Sequence, residues 1–166
     1  MKQRKANRLK NYDYSQNNYY YITTCTHNMR EYFGQVSNEI MTINNFGEIV
    51  EKCWLDLSSH YQNCILDEYV VMPNHFHGIV IIDNEREENG YKPFPTSHGL
   101  SEIMRGFKTF SSKRINEEDV LVKFRWQKSF YDRVIRDQKE LDNIRSYIVD
   151  NPLKWHLDKN NPINLV

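Results

Sequence analysis

Two histidines stand two residues apart where one apolar stretch ends and another begins. They belong to the segment Met72-Pro73-Asn74-His75-Phe76-His77-Gly78, in which Pro73-Asn74 separates two predicted strands. Side chains of a strand alternate between its faces, so His75 and His77 point one way and Phe76 points the other. Two imidazoles on one face can bind a single divalent ion. The alternative interpretation is two polar residues on a solvated sheet face, because a bare His-x-His motif has low specificity.

Near the C-terminus, Tyr147 and Asn151 lie four residues apart in a helical pattern and therefore share a helix face. An amide oxygen is a suitable hard ligand for Mg²⁺ or Mn²⁺, so Asn151 could complete a His-His-Asn site with positions left for a substrate oxygen. The alternatives are a half-buried aromatic residue at Tyr147 and an ordinary helix C-terminal residue at Asn151.

The elements that must position these side chains follow from the hydrophobic periodicity. We predict strands over 19–26, 65–72, 75–82 and 130–135, and helices from 45 to 57, from 100 to 115 and from 137 to 151. The order β-α-β-β-α-β-α begins with the split βαβ arrangement of ferredoxin-like folds. The predicted fold class is therefore α+β, with an antiparallel sheet covered by helices on one face and a C-terminal helix that carries Tyr147.

The two later helices have specific sequence patterns. Asp137 is the predicted N-cap of the last helix, and Glu140 three residues later resembles a capping box. Asn151-Pro152 ends this helix, since the residue before proline disfavours helical dihedrals. The predicted inward-facing side chains are Ile103, Phe107 and Phe110 in the middle helix and Leu141, Ile144 and Ile148 in the last helix. The polar segment 83–98 is predicted to be the longest loop.

Composition indicates one soluble globular domain spanning residues 1–166. The chain is 39% hydrophobic and 27% charged, and it contains no run of 18 apolar residues that would span a membrane. The basic N-terminal residues are not followed by an apolar stretch, so we expect no secretory signal and a cytoplasmic protein. Three cysteines without C-x-x-C spacing support neither a disulfide framework nor a thiolate zinc site, and Cys53 and Cys64 are predicted to be buried.

The formal net charge is zero, but the charges are segregated along the chain. Basic stretches form an N-terminal arm at about 1–15 and recur around 105–114 and 123–136, whereas acids are concentrated near 83–88. Such segregation predicts a basic face for phosphate contacts, although separate solvated faces are an equal alternative. The predicted DNA-binding residues are Arg4, Lys5, Arg8, Lys10, Arg105, Lys108, Arg114, Lys128 and Arg136.

Taken together, these segments resemble the REP-associated tyrosine transposases, which belong to the HUH (His-hydrophobic-His) single-strand transposases. The resemblance is carried in order by residues 8–15, 70–78, 105–108, 126–136 and 147–155. It implies metal ligands at His75 and His77, a nucleophile at Tyr147 and a third metal ligand at Asn151. One position departs from the pattern, because Arg133 stands where the family often has histidine.

The function implied by the resemblance is a metal-dependent single-strand DNA endonuclease and strand transferase. Tyr147 would attack phosphorus and form a 5′-phosphotyrosine intermediate, with Mg²⁺ or Mn²⁺ as cofactor and single-stranded or hairpin DNA as substrate. The protein would act as a monomer or a homodimer.

Three other functions remain possible at this level. A non-catalytic nucleic-acid-binding module could stack bases on Tyr19, Tyr20 and Tyr21, although the motif of RRM domains is absent. A metal-dependent hydrolase would use bound water and leave Tyr147 structural. A domesticated relative would still nick DNA without moving any element.

Overall fold

The computed structural model describes residue 9 and residues 11–86 and 98–164. The four predicted DNA-binding residues of the N-terminal arm, Arg4, Lys5, Arg8 and Lys10, lie outside the described residues, as does most of the predicted loop 83–98.

The structure is an α+β fold with a four-stranded antiparallel sheet. The strands are β1 (Asn18–Cys25), β2 (Gly34–Ser37), β3 (Ile40–Ile43), β4 (Cys64–Met72), β5 (His75–Ile82) and β6 (Tyr131–Ile135), and the helices are α1 (Asn45–Leu55), α2 (Leu57–His60), α3 (Leu100–Glu118) and α4 (Gln138–Val149). The main sheet has the order β4-β5-β1-β6, and each neighbouring pair is antiparallel. This arrangement confirms the predicted ferredoxin-like architecture.

The alternation of side chains along β5 separates the core from the candidate site. Phe76 is fully buried on the face covered by α1 and α3, where its ring centroid lies 4.6 Å from that of Trp54 and 5.1 Å from that of Phe107. Ile79, two residues beyond His77, packs instead with Ile148 of α4 in a second hydrophobic cluster. The sheet is therefore covered on both faces, and α4 lies on the face to which His75 and His77 point.

Helix α4 begins at the predicted cap and ends at Val149, two residues before the predicted end at Asn151. The side chain of Asp137 accepts a hydrogen bond from the backbone N–H of Glu140 at 2.8 Å, which caps the helix. The carboxylate of Glu140 reaches back to the N–H of Arg136 at 2.9 Å, one residue before the cap. Leu141 and Ile148 are buried, and the side chain between them, Ile144, is partly buried.

Helix α3 differs from its prediction in one side chain. Ile103 and Phe107 are buried, but Phe110 is 45% exposed and stacks on His60. Phe110 lies at the edge of the buried stripe, because the fully buried positions continue from Phe107 to Ser111 and Ile115.

Among the helices that the structure describes, none combines the length and the apolar character needed to cross a membrane.

A hairpin of β2 and β3 between β1 and α1 was not predicted. Its turn places Asn38 and Glu39 at φ values of 50° and 65°, the left-handed region. Each strand has only four residues, all of them exposed or partly exposed, so no long apolar alternation marks the hairpin in the sequence.

Cys53 and Cys64 are buried as predicted.

Candidate metal and nucleophile site

His75 and His77 lie side by side at the start of β5. Their ring centroids are 4.6 Å apart, and the two residues are 0% and 2% exposed. The amide nitrogen of Asn74 donates to two carbonyl oxygens, so its Oδ1 accepts from His75 Nδ1 at 2.8 Å. His75 therefore carries its proton on Nδ1 and leaves the Nε2 lone pair available.

His77 is held in a comparable way from β1. Its Nδ1 lies 2.8 Å from the hydroxyl of Tyr21 and 2.8 Å from the hydroxyl of Thr23. The Nε2 atoms of both histidines are buried and have no hydrogen-bond partner among the described residues. In many metal sites each histidine binds the ion through one ring nitrogen while a hydrogen bond at the other ring nitrogen fixes its orientation. His75 and His77 have this arrangement, with Nδ1 hydrogen-bonded and Nε2 unpaired among the described residues.

The protonation of both imidazoles suits metal binding. Burial lowers the pKa of His75 to about 4, against the opposing effect of the Asp158 carboxylate. Burial also lowers the pKa of His77 well below its ordinary value, and neighbouring His75 adds to the shift. Both rings are thus neutral near pH 7, the form that ligates metal.

Asp158 is a third group at this site that sequence reasoning missed. Its Oδ2 lies 3.8 Å from His75 Nε2, and its side chain is 5% exposed. One potential ligand atom from each of Asp158, His75 and His77 lies within 4.8 Å of the others. Asp158 follows the 3₁₀ segment Pro152–Leu157, and no periodicity connects it to Tyr147 or Asn151.

Asn151, the predicted third ligand, is also at the site. It is 2% exposed, and its Oδ1 has no hydrogen-bond partner within the described part of the chain. Its amide lies beside both His75 and Tyr147, where it raises the pKa of His75 and lowers the pKa of Tyr147. Two imidazole nitrogens and two side-chain oxygens, from Asn151 and Asp158, form a donor set that fits a divalent ion such as Mg²⁺ or Mn²⁺.

Tyr147 stands at the edge of this cluster. Its ring centroid is 5.5 Å from that of His77 and 6.3 Å from that of Tyr21, and the residue is 41% exposed. Burial raises the pKa of Tyr147, the Asp158 carboxylate raises it further, and the Asn151 amide lowers it. The phenol is therefore protonated near pH 7 and must lose its proton to become a nucleophile.

The cluster opens into a cleft of about 430 Å³, the tyrosine cleft, lined by His77 and Tyr147 and by the cationic side chains of Arg133 and Lys159. No acidic residue lines this cleft within the described structure. A phosphate group entering it would meet positive charge beside the tyrosine and the histidines. Arg133, where the resembling family often has histidine, also pairs with Glu140.

The structure describes five of the predicted DNA-binding residues, and they lie in different surroundings. Arg105, Lys108 and Lys128 line one further cleft, where Lys108 Nζ donates to the backbone oxygens of Gln127 at 2.6 Å and Lys128 at 3.1 Å. Burial lowers the pKa of Lys108. Arg114 instead pairs with Asp56 at 3.0 Å, between α3 and the end of α1. Arg136 directly follows Ile135, the last residue of β6. Ile135 pairs with Tyr19 near the start of β1, whereas His75 pairs with Cys25 at the end of β1, so Arg136 and His75 lie at opposite ends of the sheet.

The tyrosine run in β1 does not offer a base-stacking surface of the RRM type. Tyr20 is 0% exposed and Tyr21 9% exposed, and only Tyr19 reaches 37%. Tyr21 instead orients His77. The geometry therefore does not favour the non-catalytic interpretation that depends on these rings.

Comparisons with known sequences identify a family. The family model described as "Transposase IS200 like" matches residues 15–151. An uncharacterized protein of Haemophilus influenzae strain Rd is 34% identical, and the alignment covers 94% of this chain and 92% of the relative.

Two solved structures share the fold at low sequence identity. A REP-associated tyrosine transposase bound to a REP hairpin superimposes with a TM-score of 0.63 at 18% identity, covering 92% of this chain and 76% of that one. A protein of Deinococcus radiodurans R1, assigned provisionally as a transposase, superimposes with a TM-score of 0.50 at 16% identity. This superposition covers 87% of this chain and 96% of the Deinococcus chain. With a family model that spans most of its length, this chain belongs to the IS200-like transposases.

Proposed function

We propose that this protein cuts and rejoins single-stranded DNA through a covalent bond to Tyr147. The observation that carries the proposal is the pair of buried histidines, His75 and His77, whose Nε2 atoms have no hydrogen-bond partner among the described residues. The His77 ring lies 5.5 Å, between ring centroids, from that of Tyr147, which lines a cleft without acidic residues in the described structure. Membership of a transposase family supports a reaction on DNA, and the arrangement fits metal-assisted attack by a phenol oxygen.

His75, His77, Asn151 and Asp158 would hold the divalent ion, Mg²⁺ or Mn²⁺, through Nε2 atoms and side-chain oxygens. When bound, the ion would neutralise charge on the non-bridging oxygens of the scissile phosphate. Arg133 and Lys159, which line the same cleft, would add positive charge around the phosphodiester.

The Tyr147 hydroxyl would attack phosphorus in line with the departing 3′ oxygen. The phenol loses its proton, an oxygen–phosphorus bond forms to Tyr147, the bond from phosphorus to the 3′ oxygen breaks, and that oxygen takes up a proton as a free hydroxyl. The product is a 5′-phosphotyrosine, which retains the bond energy of the phosphodiester. A 3′-hydroxyl from a second strand can reverse the step, and strand transfer then needs no nucleotide cofactor.

Hairpin DNA is the substrate we propose, with the protein acting as a monomer or a homodimer. The support is the structural neighbour described as bound to a REP hairpin. Single-stranded regions beside a hairpin stem expose the phosphates that a cleft of this size can admit.

The test is covalent capture. Purified protein is mixed with labelled hairpin oligonucleotides taken from the DNA flanking its own gene, with Mn²⁺ or Mg²⁺, and the products are separated on a denaturing protein gel. We expect a metal-dependent protein–DNA band from the wild type and none from Tyr147→Phe or His75→Ala. Tyr131→Phe, another exposed tyrosine that lines the same cleft, is the matched control and should keep the band.

Each alternative function predicts a different result. Cleavage without a covalent band that survives Tyr147→Phe would identify a metal-dependent hydrolase. Binding with neither cleavage nor a band would favour a non-catalytic DNA-binding protein. A domesticated relative would still nick DNA and would therefore give the covalent band.

A further inference from the structure

The chain beyond helix α4 lies across the start of β5, and we name residues 152–164 the C-terminal strap. It consists of two 3₁₀ segments, Pro152–Leu157 and Pro162–Asn164, joined by a turn. The ring of Trp155 lies 5.8 Å, between centroids, from that of His75. The family match ends at residue 151, so membership of the family says nothing about this strap.

Apolar burial does not hold the C-terminal strap in place. Neither 3₁₀ segment contains a buried residue, and the apolar side chains of Leu153, Leu157 and Ile163 are between 46% and 80% exposed. The buried residues of the strap are instead the polar Asn160 and Asn161. The hydrophobic effect, which stabilises most folded segments, therefore contributes little to the position of this one.

Hydrogen bonds hold the strap mainly to itself. Asn161 Nδ2 donates to Trp155 O at 3.0 Å, and Asn160 N donates to Asp158 Oδ1 at 2.7 Å. Within the described part of the chain, a single hydrogen bond joins the strap to any segment other than the end of α4. It runs from Asn74 Nδ2 to Asn160 O at 2.8 Å. The strap is thus a small unit with its own internal bonding and few ties to the rest of the fold.

A further tie is the contact between Asp158 and His75. Asp158 Oδ2 lies 3.8 Å from His75 Nε2, and both side chains are buried. Because neutral His75 carries its proton on Nδ1, this contact sets an imidazole lone pair against a carboxylate oxygen. Two buried acceptors repel each other unless a cation lies between them. The contact therefore stabilises the strap when one cation binds both atoms.

The strap also brings a positive charge to the tyrosine cleft. Lys159 directly follows Asp158 and lines that cleft together with Tyr147 and Arg133. Arg133 and Lys159 are the lysine and arginine side chains that line the cleft among the described residues. Release of the strap would therefore remove one of these two charges from the place where a phosphate would bind.

We propose that Asp158 is a positioning residue, which holds the C-terminal strap on the sheet through the bound divalent ion and so places Lys159 in the tyrosine cleft. When the ion is removed, the strap opens, because neither apolar burial nor hydrogen bonding to the sheet is sufficient to keep it closed. The inference rests on the proposed function for the presence of the ion. It goes beyond that function by making the charge of the cleft depend on metal binding.

Limited trypsin digestion tests the inference without any DNA, because the strap contains two cleavage sites, after Lys154 and after Lys159. Lys123, in the exposed segment that follows α3, is an internal reference outside the strap. Mass spectrometry measures cleavage at each site in EDTA and in Mn²⁺, which is added at 100 times the dissociation constant that calorimetry gives for each protein. The variants are Asp158→Ala and, as a matched control, Asp142→Ala at an exposed position of α4.

We expect Mn²⁺ to slow wild-type cleavage after Lys154 and Lys159 by about 10-fold or more, and to leave cleavage after Lys123 unchanged. A segment that must open before it is cut is protected as far as the ion favours its closed form, up to about 100-fold at this concentration. Asp142→Ala should show the same protection. Asp158→Ala, which keeps three of the four candidate ligands, should lose the protection even when Mn²⁺ is bound.

The inference is overturned if Mn²⁺ leaves wild-type cleavage in the strap unchanged, if Mn²⁺ protects Lys123 equally, or if Asp158→Ala keeps the protection. If Asp158→Ala binds no Mn²⁺, the wild-type protection and its restriction to the strap still decide. Failure of the proposed function gives a different pattern, in which Mn²⁺ protects the strap but no covalent band forms with any DNA. A covalent band from a protein whose strap is not protected would refute the inference and leave the proposed function standing.

Discussion

At the scale of single residues, Asn74 connects three parts of the site through one amide. Its Oδ1 accepts from His75 Nδ1, while its Nδ2 donates to the backbone oxygens of Met29 at 3.0 Å and Asn160 at 2.8 Å. Met29 ends the 3₁₀ segment His27–Met29 after β1, and Asn160 lies two residues after Asp158. One side chain thus sets the tautomer of a candidate metal ligand and holds the segment that presents another.

Replacement of Asn74 should weaken metal binding. For Asn74→Ala we expect about 10- to 100-fold lower affinity for Mn²⁺ by isothermal titration calorimetry, because His75 loses the acceptor that orients it. Asn74→Asp keeps an acceptor oxygen for His75 but loses the amide donor to Met29 and Asn160, so it should recover only part of that affinity. Equal affinity in wild type and Asn74→Ala would show that His75 needs no orienting partner.

At the scale of elements, β5 must approach α1 closely for the histidines to be placed. Gly78 permits this contact, since a Cβ at position 78 would lie 2.6 Å from Trp54 Cζ2 and 2.9 Å from Phe76 Cε1. Both rings are fully buried, so neither can move into free space. The glycine after the second histidine therefore serves packing on the face opposite the site.

Gly78→Ala should lower the free energy of unfolding by about 1–3 kcal/mol through overpacking. Urea denaturation followed by circular dichroism measures the change. Gly99→Ala is the matched control, because a Cβ there meets its nearest atoms at an ordinary 3.5 Å, and its effect should be smaller. Equal effects of the two substitutions would contradict the packing argument.

Helix α4, which carries Tyr147, is tied to β4 by a charged pair. Arg145 binds Asp67 in a bidentate manner, with Nη2–Oδ2 at 2.5 Å and Nε–Oδ1 at 3.0 Å. The Arg145 hydrogen bond lowers the pKa of Asp67. A carboxyl group whose pKa is lower in the folded state than in the unfolded state stabilises the folded protein. This stabilisation is fully present above the unfolded pKa of about 4, and it is lost as the pH falls through the pKa of the folded state.

Arg145→Ala should therefore destabilise the protein by about 1 kcal/mol at pH 7, a value discounted for the partial exposure of the arginine. The difference from wild type should stay constant down to about pH 5 and shrink below about pH 4, as Asp67 becomes protonated in both proteins. Urea denaturation at a series of pH values measures it. Lys113→Ala, which breaks an exposed pair with Glu117 on α3, should cost less than half as much at pH 7. A pH-independent deficit in Arg145→Ala would rule out the ionic explanation.

At the scale of the whole molecule, we expect metal binding to be coupled to folding. The four candidate ligands come from β5, the end of α4 and the segment after Leu157, so they assemble only in the folded chain. A ligand that binds only the folded state at 100 times its dissociation constant adds about 2.7 kcal/mol.

Saturating Mn²⁺ should thus raise the melting temperature of the wild type by about 5–10 °C in a thermal-shift measurement. EDTA should reverse the shift, and His75→Ala should abolish it while circular dichroism confirms that the variant is folded. An equal shift in His75→Ala would place the ion elsewhere on the protein.

Local patterns in the sequence predicted much of the fold and the centre of the site. The two-residue period of a strand placed His75 and His77 together opposite Phe76, and the helical period placed Tyr147 and Asn151 on one face. Asp137 capped α4 because N-capping depends on residues only three positions apart. These features depend on the geometry of residues close together in the sequence, which is the same whatever the tertiary arrangement of the elements.

Contacts between segments far apart in the sequence were decided by the tertiary structure alone. Asp158 reaches His75 only because the chain turns back after Asn151-Pro152 and is held there through Asn74 and Asn160. The isolated bridge between Thr26 and Trp126 joins segments 100 residues apart, and Arg114 pairs with Asp56 across two helices. No periodicity encodes such pairings, because they depend on how the sheet and helices pack around one shared core.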